Sequence, residues 1–99
     1  MTDTNYTIIL TETENNALAY VALDQQDWIE NAVHNRCRIA IDEIVQIAVT
    51  KYLELGESIP GSKEEIVAQA FARGWIKTAA ERQAEYDQSI LTSTEQPTL

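Results

Sequence analysis

The chain has 99 residues, enough for one small domain, and its formal net charge of −9 argues against holding a nucleic-acid backbone. A hydrophobic fraction of 44% against 23% charged residues excludes a disordered chain, and no run approaches the roughly 18 consecutive apolar residues of a membrane span. The single cysteine, Cys37, excludes an internal disulfide framework and fits maturation in a reducing compartment.

The N-terminal stretch MTDTNYTIILTETENN has no basic segment ahead of its short apolar run, so it does not read as a secretory signal and the chain is expected in the cytoplasm on synthesis. Residues 1–35 hold six acids (Asp3, Glu12, Glu14, Asp24, Asp27, Glu30) and no Lys or Arg. Such a surface repels phosphate backbones and docks on basic ones, with Asp24, Asp27 and Glu30 as the candidate acidic patch. Tyr6 to Leu10, β-branched and apolar, reads as a short N-terminal strand over 6–10. An alternative pairs YTIIL with ALAYVAL as a hairpin across Asn15 and Asn16.

Helix starts are the most legible local feature. In a capping box the first side chain accepts from an orphan helix amide, and an acid three residues on reciprocates. Thr11 with Glu14, Ser62 with Glu65 and Thr78 with Glu81 match, and Asp24 with Asp27 is a variant. Four helices follow. The first covers about 12–22. The second runs from about 25 to 55, roughly 45 Å at 1.5 Å per residue. Its positions Ile29, Val33, Cys37, Ala40, Ile44, Ala48, Tyr52 and Leu55 are spaced by three or four, as one helical face requires and a strand does not.

From Ile39 onward, Ile41, Val45, Ile47, Val49 and Leu53 make this helix apolar around most of its circumference. Three short helices are little cover for such a surface, so part of it is expected to meet another subunit. Ile41, Val45, Val49 and Tyr52, with Trp75, are the candidate interface.

Gly56 then supplies a stop, and GESIPGS reverses the chain. A third helix over 63–73 ends at Gly74, where Trp75 is placed for the hydrophobic contact of a Schellman stop. The fourth, about 79–90, has a thin stripe of Ala79, Gln83, Tyr86 and Ile90. The remaining LTSTEQPTL has the composition of a disordered tail. The expected fold is mainly α: one long central helix packed by shorter ones in a single small domain over 1–91, with a tail at 92–99.

IVAQAFARGWIKTAAERQ, residues 66–83, has the turn of a helix-turn-helix. Recognition of that kind needs cations against phosphates. The window 62–89 sets Lys63, Arg73, Lys77 and Arg82 against Glu64, Glu65, Glu81, Glu85 and Asp87, a net of −1, so a packed helical hairpin is the better reading. His34 follows Glu30 by one turn, but a single pair falls short of the three or four ligands zinc requires. The row Glu30, His34, Arg38, Asp42 reads as a solvated face with an Arg38–Asp42 pair adding a few tenths of a kcal/mol. Cys37, on the apolar stripe, reads as a small hydrophobe without the electropositive setting of a nucleophile. Trp28 is expected in the core, whereas Trp75 beside a turn is open to either role. No catalytic, cofactor-binding or metal-binding residues are identified, and no enzyme is expected.

Taken together, DQQDWIENAVHNRCRIAIDEIVQ and IPGSKEEIVAQAFARGWIKTAAERQAEY resemble small acidic proteins encoded among the virion genes of tailed bacteriophages, cyanobacterial phages in particular. The resemblance spans roughly residues 6–87 and rests on overall texture. It implies a structural or assembly role in a capsid or tail, acting by self-association and protein-protein docking. Its expected partners are further copies of itself and other virion proteins, with no nucleic acid, no membrane and no cofactor. It also implies a location in the virion after assembly in the host cytoplasm. The alternative function is an acidic inhibitor that occupies a basic surface of a host defence or nucleic-acid-binding protein.

Overall fold

The computed structural model describes residues 3–95, with side chains through Leu91. It is mainly helical: α1 (Glu12–Val21), α2 (Gln25–Leu55), α3 (Lys63–Ala72) and α4 (Ala79–Glu95). The chain divides between Arg38 and Ile39, inside α2, into an N-terminal and a C-terminal compact unit.

The N-terminal unit begins with residues 3–10, which form no regular secondary structure. The strand expected over 6–10 is therefore absent, and the competing hairpin with it. The reason lies at Thr11, whose hydroxyl accepts from the Glu14 amide at 3.1 Å while its own amide donates to Glu14 Oε1 at 2.9 Å. That complete capping box starts α1 at Glu12 and draws most of ALAYVAL, the hairpin partner of YTIIL, into a helix. Propensity without a neighbour to pair with does not make a strand. α1 ends with the Ala22 amide bonded to Leu18 O at 2.8 Å. Among the described residues of this unit, Ala22 is also the single buried one. Asp24 then caps α2, its Oδ1 accepting from the Asp27 amide at 3.0 Å.

The C-terminal unit has an enclosed core. Ala48 and Tyr52 on α2 meet Ile66 and Ala70 on α3, and Ile44, Val45, Trp75 and Ile76 pack around them. Ala48 and Ala70 are fully buried; with only a methyl on each, the helices approach closely enough to enclose an aromatic. Two glycines aim the chain. Gly56 at φ 68° and Gly74 at φ 73° occupy the left-handed region, where a side chain costs energy. Both complete Schellman stops: Glu57 N bonds Tyr52 O and Gly56 N bonds Leu53 O, while Trp75 N bonds Ala70 O and Gly74 N bonds Phe71 O. The contact expected of Trp75 forms, as its ring joins the core.

α3 starts on half of its expected box: Ser62 Oγ accepts from the Glu65 amide at 3.2 Å. α4 has the full one, with Glu81 N bonded to Thr78 Oγ1 at 3.1 Å and Thr78 N to Glu81 Oε1 at 3.0 Å. No residue of α4 through Leu91 is buried. The helix runs to Glu95, a turn past the expected end at 90, since no Gly or Pro interrupts it before Pro97. The tail expected from residue 92 thus begins inside α4, and 96–99 lie outside the described residues.

Candidate interaction surface

The side chains expected to associate fall into different settings. Ile41 lies at the surface, Val45 and Val49 are half-buried, and Trp75 is packed on the core. Tyr52, expected among them, is 1% exposed and unavailable to a partner, because α3 covers it. Its hydroxyl donates to the Gln69 side chain, and its ring stands edge-on to Trp75 at 4.9 Å between centroids. Arg73 closes this end of the core, its guanidinium 4.4 Å from the Trp75 ring centroid. The same guanidinium donates both Nη atoms to the Glu57 carboxylate, at 2.8 and 2.7 Å. This fork holds the Glu57 carboxyl below the ordinary glutamate range and keeps Arg73 more firmly protonated.

Among the polar side chains of α2, Arg38 donates to Asn35 Oδ1 at 2.9 Å, and Asp42 accepts from Lys63 at 2.9 Å. Glu30 accepts from Gln26 at 3.1 Å, and Asp24, Asp27 and Glu30 are all exposed. Cys37, expected on the apolar stripe as a small hydrophobe, is exposed. That stripe is covered only around Ala48 and Tyr52; Val33 and Leu55 are exposed as well.

Trp28 departs most from expectation. Half exposed, it is not in a core but lines an open groove of about 580 Å³. One wall is α1, through Ala17, Leu18 and Val21; the other is α2, through Trp28, Ile29, Ala32 and Val33; Ile8 and Leu10 close one side. The lining contains one charged group, Glu14. Its carboxyl is already bonded at Thr11, which holds it below the ordinary glutamate range. The groove was readable as paired apolar positions three and four apart on two consecutive helices, but periodicity does not tell a covered face from an open one.

The surface left uncovered is large. Ile39, Ile47, Leu53 and Leu55 of α2 and Phe71 of α3 are among the exposed apolar side chains of the C-terminal unit. The short helices therefore do not wrap the over-hydrophobic half of α2. No family model, curated protein or solved structure matches this chain. Among the described residues, no helix is long and apolar enough to cross a membrane, and no group of three or more His, Cys, Asp or Glu side chains could hold a metal ion.

Proposed function

We propose that this chain acts by self-association and docking to other proteins, as a structural or assembly component of a bacteriophage virion. The observation that carries the association half is the uncovered apolar surface, concentrated on the groove of α1 and α2 and on the outer faces of α2. A monomer in water leaves that surface unrewarded, whereas a symmetric assembly buries it. The virion half rests on the texture of residues 6–87, which the helical architecture suits. The acidic-inhibitor reading rests on charge alone, carried by the exposed Asp24, Asp27 and Glu30.

Phage particles purified from an infected culture test the virion half: mass spectrometry should find the chain at a fixed ratio to the capsid or tail proteins. Its absence from particles, with abundant chain in the lysate, would contradict that half.

A further inference from the structure

We propose that the N-terminal unit is an order–disorder switch: residues 12–38 open and close as one piece while the C-terminal unit stays folded, so that α2 breaks at the Arg38–Ile39 divide. The inference is independent of what the chain docks on and concerns how its helical surface is made and unmade.

The two compact units part inside α2, a helix with no Gly or Pro between Gln25 and Leu55. Backbone chemistry therefore does not mark the divide. What differs is the packing that holds each side. Beyond it, Ala48, Tyr52, Ile66 and Ala70 make an enclosed core, whereas before it Ala22 is the single buried residue among those described. At about 38 residues the N-terminal unit lies below the size, about 40, at which a chain usually folds alone without cross-links or metal, and the C-terminal unit lies above it. Cys37 is the sole cysteine, so no internal disulfide makes up the difference.

Side-chain bonds repeat the contrast. In the C-terminal unit Tyr52 bonds Gln69, Lys63 bonds Asp42 and Arg73 bonds Glu57, joining segments 16 to 21 residues apart. In the N-terminal unit the pairs Thr11 and Glu14, Asp24 and Asp27, Gln26 and Glu30, and Asn35 and Arg38 are only three or four residues apart. Bonds of that reach support a helix without holding two helices together.

Neither helix of the unit persists on its own strength. α1 has 10 residues, and α2 ahead of the divide covers only 25–38; isolated helices shorter than about 12–15 residues are marginal in water. Asn31, His34, Asn35 and Cys37, in the turns next to the divide, all rank low in helix propensity. α2 is thus anchored through Ala48 and Tyr52 at one end, while its other end depends on α1. Proteins open locally in contiguous cooperative units whose stabilities run from near zero to the global value. The packing divide inside α2 sets where one such unit stops.

Native-state hydrogen exchange on the full wild-type chain in dilute solution, followed through increasing sub-denaturing urea, tests the switch. Relative to intrinsic rates, amides of 29–38 should exchange at least about tenfold faster than those of 48–55 in the same helix, and those of 15–21 should join 29–38 in a single opening as urea rises. Equal protection along α2 would overturn the proposal. Separate openings of 15–21 and 29–38 would overturn it too, since that is fraying and not a switch. Ala32→Gly should quicken exchange about fivefold over 12–38 and leave 48–72 unchanged, whereas quickening over both spans would mean one cooperative fold and contradict the account of the divide.

Discussion

Two aromatic side chains on the same helix meet opposite fates. Tyr52 is 1% exposed beneath α3, and Trp28 is 50% exposed beside α1. Both lie on apolar faces of α2, so helix periodicity does not separate them. Connection chemistry does. After Gly56 the chain turns through a loop to Ser62, and α3 returns with Ile66 and Ala70 toward α2; Gly74 then brings Trp75 back onto the same aromatic. Before α2, only Ala22, Leu23 and Asp24 separate the two helices, and no third helix of the N-terminal unit reaches Trp28. A helix pair alone makes a groove; a third element makes a core.

The difference can be broken from either side. The largest effect is expected from Tyr52→Ala, which removes the enclosed ring and its bond to Gln69 and should cost about 3–5 kcal/mol. Trp28→Ala should cost the monomer far less but weaken association, so thermal melts and mass measurements on the two variants should rank them in opposite orders. Equal melting losses would mean that Trp28 is as enclosed as Tyr52.

The glycine turn offers a smaller effect. Gly74→Ala meets no neighbour within 4 Å but must hold φ 73°, a backbone strain of about 1–2 kcal/mol. Gly61→Ala, equally uncrowded and without a positive φ, should melt near the wild type. If the two melt alike, the left-handed turn is not what places Trp75.

The smallest effect is a pH dependence. Arg73 holds Glu57 below the ordinary glutamate range, and the caps at Thr11 and Thr78 do the same for Glu14 and Glu81. Depressed folded values mean that these bonds stabilise the chain above the unfolded glutamate value of about 4.3, and that the gain is lost as pH falls through the lower folded values. Melting temperature should decline over that acidic window, and Glu57→Gln should flatten part of the decline in the C-terminal unit. An unchanged slope would mean that the Arg73 fork contributes nothing in water.

Much of this architecture was legible locally. The caps at Thr11, Asp24, Ser62 and Thr78 and the stops at Gly56 and Gly74 act within a few residues, so spacing alone locates them. The strand over 6–10 was misread because a strand needs a partner, and the capping box beside it turned the nearest candidate into α1. Trp28 and Cys37 were misplaced for a related reason: an apolar stripe records what can be buried, while coverage depends on which distant segment returns to it. Tyr52 was assigned to an outer surface because nothing in its own neighbourhood reveals that Ala70, with only a methyl, lets α3 close over it. The groove itself needed two helices considered together.

Sedimentation equilibrium of the full chain across the micromolar range is the most direct test that this fold is completed by another copy of itself. The expected mass is that of a dimer or larger at the upper end, falling toward the monomer on dilution and shifting toward the larger species as salt is raised. A monomer mass at every concentration, with cooperative melting of both units, would contradict the account.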